Sequence, residues 1–356
     1  MLLRIFNLSV LLAAGLFSGC AVMPHEDARQ QFLSGNPQAA ISMLEARDNQ
    51  SRRNALLTRM EKGLIYHTQG EYRKSTKELL HAVKIMRDQD YISLSEQAKT
   101  LVINDWMGSY KGEYSERLWV HTYQMMNYLL LDEYQSAAVE ARQALKVLDK
   151  HSKPLSNAWF TQALIALSFE SVGKINDAYI EYKKLANKFP KDELMAKRVF
   201  WQARNLGLKS DQKISSDKIS DHPKSYSDDK HGELVLFIAD GLIQRKIAGD
   251  IYAPPDVRVS FPVYPHRYSE MPKYHVSTDI SDQPFEAIST QLDKVASASL
   301  GARGKAILLK EVARIGVKTA IYKELKEEDE TVARLIGALF FLLEEADTRG
   351  WGTLPE

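Results

Sequence analysis

Apolar residues recur every three or four positions from about Met23 to Lys209. That is the period of amphipathic helices. Neither period-two alternation nor clusters of β-branched residues interrupt it. The pattern also repeats itself. Gly70-Glu71-Tyr72 is followed by Ser75, Leu79 and Ala82, and Gly173-Lys174-Ile175 by Ala178, Tyr182 and Leu185 at the same spacing. Asp132-Glu133-Tyr134 with Ala137, Ala141 and Ala144 is a third copy, and Gly35-Asn36-Pro37 with Ala40 and Leu44 a fainter fourth. Each Gly or Asp predicts a left-handed residue closing one helix. The small residue five places on predicts close approach of the next helix, and the residue four further lies on the same face. The turns are 35, 62 and 41 positions apart, and Tyr91–Glu116, with Ala98, Leu101, Val102 and Trp106, reads as a degenerate unit in the widest gap.

The spacing resembles the tetratricopeptide repeat, a helix–turn–helix unit. Ala166, Phe169, Ala178, Tyr182 and Pro190 match it in one unit, and Gly63, Tyr66, Gly70, Ser75 and Ala82 in another. In that family the first helices line a concave groove that binds peptides or partner helices. The resemblance implies groove positions at Leu57, Met60, Leu64 and His67, then Trp119, Thr122, Met126 and Leu129, then Phe160, Ala163, Leu167 and Glu170. The lining is mostly apolar, without the Lys, Arg and Asn run that clamps a terminal carboxylate in some relatives. Two readings stay open: a site for a protein partner, or packing of these side chains against one another or the next domain.

Lys209 to His231 holds five Lys and five Asp among its Ser residues, which reads as a linker. Beyond it, Glu233–Ala239 is a short apolar run bounded by Gly232 and Asp240-Gly241, the clearest strand signal. Leu242–Ile247, Arg258–Tyr264 and Lys273–Asp279 are further candidates, the second an edge strand because Pro262 cannot donate. Helices are expected at Pro284–Ser299, Arg303–Glu327 and Thr331–Thr348. The last contains Val332–Leu343, a core helix or else one for a partner or a membrane surface. The expected architecture is α+β: a signal segment at 1–19, a tetratricopeptide-like all-α array at 20–208, a linker at 209–231, and a smaller α+β domain at 232–356.

The first twenty residues add a location. Arg4 precedes an apolar run from Ile5 to Phe17, two small residues and Cys20, the only cysteine in 356 residues. The run has the order of a secretory signal and is short for a membrane span, which needs about 20 apolar residues. Cys20 at the cut site resembles the lipobox of bacterial lipoproteins, with Phe17 where Leu is usual. The resemblance implies lipid attachment at Cys20. Ala21, where Asp would favour the inner membrane, implies the outer membrane with the body facing the periplasm. No disulfide is possible within the chain. Loss of 1–19 removes one Arg, leaving 46 basic and 46 acidic residues, so no global field would gather nucleic acid.

Chain-wide motifs carry one more resemblance. Tyr110-Lys-Gly-Glu-Tyr114, Val120-His121, Asn127-Tyr128-Leu129, Asp132-Glu-Tyr134, Glu140-Ala-Arg142, Asp240-Gly-Leu242, Phe261-Pro-Val-Tyr264 and Asp347-Thr-Arg349 with Trp351-Gly-Thr-Leu-Pro355 are similar to an uncharacterised family of Gram-negative envelope lipoproteins with tetratricopeptide-like repeats. It implies an envelope setting and no known activity. Chemistry is thin. Gly301-Ala-Arg-Gly304-Lys305-Ala306 lacks the spacing and the Ser/Thr of a phosphate loop. Gly-x-Ser-x-Gly and His-Glu-x-x-His are missing. His266 and His275, near Tyr264, Tyr268, Tyr274, Glu270 and Asp279, are the one constellation that could hold an acid–base pair or a metal. Trp351 is expected to dock on the second domain. The reading is a non-enzymatic, lipid-anchored adaptor for envelope proteins, using the groove, with no cofactor or metal. The alternative is a ligand-binding or enzymatic lipoprotein with its site in 240–280.

Overall fold

The computed structural model describes residues 24–48, 52–90, 108–219, 233–253, 257–266, 274–277, 282–285, 289–342 and 344–355. Its N-terminal part is a stack of helix pairs: α1 Pro24–Leu33 with α2 Pro37–Asp48, α3 Ala55–Thr68 with α4 Tyr72–Asp90, and α5 Tyr114–Leu130 with α6 Tyr134–Lys150. α7 Trp159–Glu170 pairs with α8 Ile175–Lys188, and α9 Glu193–Asn205 with α10 Lys209–Ser216. Each pair packs within itself and, more lightly, on the next.

The turns form where the spacing places them. Gly35, Gly70 and Gly173 have φ of 78°, 75° and 70°, and Asp132 reaches 59° without being glycine. Each closes its helix with the same two bonds. The N–H of Gly70 donates to His67 O at 3.0 Å and that of Glu71 to Tyr66 O at 2.9 Å; Asp132 and Glu133 repeat this onto Leu129 and Tyr128 at 3.2 and 2.8 Å. This double bond satisfies the last carbonyls of the helix. The small residues five positions on, Ala40, Ser75, Ala137 and Ala178, are all 0% exposed. There the second helix lies against the first, and Ser75 Oγ donates to Gly63 O at 2.7 Å. These contacts make the array tetratricopeptide-like.

A fifth pair was not expected. Lys209–Ser216, read as the start of a linker, is helical. Gly207, at φ 72°, repeats the turn, with Leu208 N–H donating to Ala203 O at 2.8 Å. Asp211 anchors the helix to α8 by accepting from Lys183 Nζ at 2.9 Å and from the Tyr179 hydroxyl. Residues 220–231 of the linker lie outside the described residues, as do Tyr91–Met107 of the degenerate unit.

The second half is a small α+β assembly. β1 Ile247–Ala253 and β2 Val257–Val263 form an antiparallel hairpin, with Ile247 opposite Val263 and Ala253 opposite Val257. β3 Tyr274–Ser277 and β4 Asp282–Phe285 form another. α11 Leu292–Glu328 and α12 Glu330–Leu342 pack as a helical pair. Three expectations are corrected. Glu233–Ala239 forms no strand; Leu234 is 73% exposed, and Phe237 instead meets the Phe160 ring edge-to-face with centroids 6.3 Å apart. The two helices expected at 284–327 are one, because Gly301 and Gly304 sit in the helix with space around them, and the start of the first is β4. The last helix ends at Leu342, and from Glu344 the chain turns back across the array without helix.

Candidate functional site

The first helices α3 and α5 carry the chain's own C-terminal segment on one face. Glu61 on α3 and Glu116 on α5 receive main-chain N–H groups from it: Gly352 donates to Glu61 Oε1 and Trp351 to Glu116 Oε1, both at 2.8 Å. The Thr353 hydroxyl donates to Glu61, and Arg29 Nε on α1 donates to Gly352 O at 2.6 Å. The Trp351 indole is buried against Tyr123, centroids 5.9 Å apart, in one apolar cluster with Leu57, Met60, Leu64, Trp119, Met126 and Leu354. The strap is pinned on its other edge too, where Ile243 N–H donates to Leu354 O at 2.9 Å.

Arg349 fixes the strap's entry. Its guanidinium clamps Asp347 through Nε at 2.7 Å and Nη2 at 2.8 Å, and donates to Asn54 Oδ1 at 2.9 Å and Gly108 O at 3.1 Å. It also lies over the Tyr110 ring, 5.4 Å from the centroid. Beneath it sits a buried charge cluster. Glu113 accepts from Lys246 Nζ at 3.1 Å and Arg303 Nη1 at 2.7 Å. Burial works to raise the Glu113 carboxyl, but these two cations outweigh it and hold it below the ordinary carboxylate range. Burial likewise opposes the Lys246 charge, and Glu113, Glu116 and Asp347 overcome it, so the ammonium titrates above its usual range. Glu61 behaves oppositely: burial pushes it up to about 7, only partly offset by Thr353, Gly352 and Arg29. The Tyr110 hydroxyl donates to Glu116, and burial lifts it well above the usual phenol range.

The residues expected to line an open groove therefore divide. Leu57, Met60, Leu64, Trp119 and Met126 are buried, in the cluster that the strap completes. Phe160 is half-buried, stacks on Trp119 at 6.0 Å, and its N–H donates to Thr290 Oγ1 at 2.9 Å. His67 meets Asn127 Oδ1 through Nδ1 at 2.7 Å and sets its edge on Tyr123 at 4.9 Å; burial lowers its pKa. Glu170 braces helices, accepting from the Tyr182 hydroxyl at 2.6 Å, Arg198 at 3.0 Å and Gln202 at 2.7 Å. Trp351 docks on the array rather than on the second domain. Cys20 lies outside the described residues.

In the 240–280 region, Glu270 and Asp279 fall outside the described residues; Tyr264 is half-buried against the core cluster, and His266 is exposed. A cavity of 460 Å³ opens nearby between the β1–β2 hairpin and α11, lined by Ile251, Phe261, Val263, Tyr264, Leu300 and Ile307 among others. Its walls are mostly apolar, with Tyr264 the polar side chain from 240–280 and Ser297 and Glu311 those from α11. Among the described residues no group of three or more His, Cys, Asp or Glu could hold a metal ion. The strap-binding pair Glu61 and Glu116 escaped sequence reasoning. Their one signal is a carboxylate on each of two otherwise apolar helix faces.

No protein-family model matches the chain, and no curated protein matches it. Solved structures do match. MamA from Desulfovibrio magneticus RS-1, residues 41 to its end, is 11% identical over 55% of this chain and 89% of that one, with a TM-score of 0.38. Another MamA structure is 14% identical over 54% and 93%, at 0.36. A Podosopora anserina protein of the kinesin light chain type, with nearly identical TPR-like repeats, is 17% identical over 55% and 91%, at 0.37. The fold assignment rests on the hairpins and turns described above, not on these overlaps.

Proposed function

We propose that this chain is a peptide-gripping adaptor of the bacterial envelope, held by lipid at Cys20 to the outer membrane and facing the periplasm. The observation that supports it is the strap. The array takes a Trp-Gly-Thr segment as a turn, closed by Leu354 N–H on Trp351 O, accepting its main-chain N–H groups on two carboxylates and its indole in an apolar pocket. Those are the elements of peptide recognition by a helical groove, here used in cis. With that face of α3 and α5 filled, a protein partner meets the remaining surface, where Leu80, Val139 and Ile180 stand out from the second helices. The anchor reading draws on the order Arg4, apolar run, Cys20.

Two experiments test it. Fatty-acid labelling of the chain and of Cys20→Ser decides the anchor: label in the first alone supports it, and equal label in both overturns it. Cross-linking in intact cells, followed by purification, tests the adaptor. Recovery of no reproducible envelope protein would overturn that part. A second reading, binding of an apolar ligand, draws on the cavity beside α11; Leu300→Trp would block such binding without touching the array.

A further inference from the structure

The cavity beside α11 has a shape as well as a volume. Its wall on α11 is one face of the helix, with Ser297, Leu300, Gly304, Ile307 and Glu311 along it, about 21 Å from first to last at 1.5 Å per residue. The β1–β2 hairpin follows the same stretch. Just before β1, Gln244 N–H donates to Asp293 Oδ1 at 2.8 Å. Within β2, Ser260 Oγ accepts from Ala346 N–H at 3.2 Å, two residues past the Glu344 that holds Arg314. A space of 460 Å³ drawn out over that length averages about 22 Å² in section. One extended hydrocarbon chain has that girth, and a fused ring system is wider.

Gly301 and Gly304 keep the slot open. Both line it from mid-helix, and among the described residues nothing beyond the helix's own turn lies within 4 Å of where their Cβ would stand. Glycine there weakens the helix, and the room it leaves is the slot. The lips are apolar and bare: Ile251 is 53% and Leu308 58% exposed, and a chain lying between them would take both from water. The two ends differ. At one, Glu311 is buried on Arg314. At the other stands Tyr264, half-buried, whose hydroxyl has no hydrogen-bond partner among the described residues. Burial, then the charges of Glu116, Glu113 and Asp293, keep that phenol protonated, while Lys246 and Arg303 are held by Glu113. This end therefore offers a donor to a neutral oxygen and a repulsive field to an anion. On the apolar-ligand reading of this cavity, we propose that it binds one unbranched acyl chain with an uncharged polar end, the ester or hydroxyl of a neutral lipid, set on the Tyr264 hydroxyl.

The full chain carrying Cys20→Ser, so that no lipid of its own can fill the slot, is titrated by calorimetry with the n-alkanols from octanol to dodecanol. Affinity should rise about fourfold for each added methylene. Ionised decanoate should bind more weakly than decanol; equal or tighter binding would overturn the uncharged end. Tyr264→Phe should weaken decanol up to about tenfold and leave the methylene step unchanged. Gly304→Leu should fill the slot and abolish binding with helix content and melting kept. Gly301→Leu does the same from one turn back if that variant fails to fold. Flat affinity across the alkanols, or binding that both leucine variants leave intact, would overturn the proposal. Tighter binding of N-phenyl-1-naphthylamine than of decanol, lost in Gly304→Leu, would sink the single chain while the apolar-ligand reading survives. No binding of any probe would remove both.

Discussion

Trp351 and Glu116 stand 235 positions apart and are joined by one hydrogen bond, from the tryptophan backbone N–H to Oε1 at 2.8 Å. Beside it, Gly352 and Thr353 repeat the arrangement on Glu61. The C-terminal strap is thus core, not tail. Its indole is among the largest fully buried side chains, yet Nε1 has no hydrogen-bond partner among the described residues. Trp351→Ala should cost about 3–5 kcal/mol through lost burial and cavity, seen as a lower denaturant midpoint and earlier proteolysis of the C-terminal half. Trp351→Phe should cost much less, since it sacrifices area but no hydrogen bond.

Glu61 gives the strap a pH dependence. Its folded pKa, about 7, lies above the ordinary 4.5. The folded chain therefore binds more protons than the unfolded one between those values, and this contribution to stability is full below 4.5 and lost as pH rises towards 7. The effect is on the order of 3 kcal/mol at most. Glu113 runs the other way: its pKa is held low, so its contribution is present above 4.5 and lost as pH falls through the depressed value. Melting temperature measured from pH 3 to 8 should fall at both ends. Glu61→Gln should flatten the limb between 4.5 and 7 and leave the acid limb in place.

In the cluster under Arg349, Glu113 is the carboxylate that both Lys246 and Arg303 contact. Glu113→Gln leaves Lys246 and Arg303 facing each other with their partner neutralised, and should cost about 3–5 kcal/mol. Adding Lys246→Met should recover much of the loss. A double-mutant cycle by urea unfolding measures both, and strict additivity would contradict a shared buried network.

Gly63 and Gly304 should respond oppositely to alanine. A Cβ at Gly63 would come within 2.5 Å of Leu79 Cδ2, where α4 crosses α3, so Gly63→Ala should lose about 1–3 kcal/mol. Gly304 is mid-helix with open space around it, so Gly304→Ala should gain up to about 1 kcal/mol from helix propensity. Thermal melts of the two variants check the pair.

Much of the array was legible in advance because its signals are local. Gly35, Gly70, Asp132 and Gly173 take left-handed φ for reasons that concern only the turn around them. Ala40, Ser75, Ala137 and Ala178 follow at fixed distance because one helix must lie on its neighbour. Gly207 carries the same signal, but the charged stretch after it does not look helical; the bonds from Lys183 and Tyr179 to Asp211 are what hold it. Glu233–Ala239 failed in the reverse sense. Its apolar run suits a strand, but among the described residues no strand pairs with it, and Phe237 turns to the array instead.

By itself, then, the sequence determined the helical pairs, their turns, the close-packed small positions and the order of repeats before strands and long helices. All of these follow from contacts within about a dozen residues. The tertiary structure alone decided what fills the groove. Glu61 and Glu116 look like ordinary polar helix positions until residues nearly three hundred and more than two hundred places later bring N–H groups to them. The inward-facing Arg314 on α11 was equally hidden, because only the folded chain brings Glu344 to it. Periodicity fixes which faces of a helix are apolar; only the folded chain settles what each face meets.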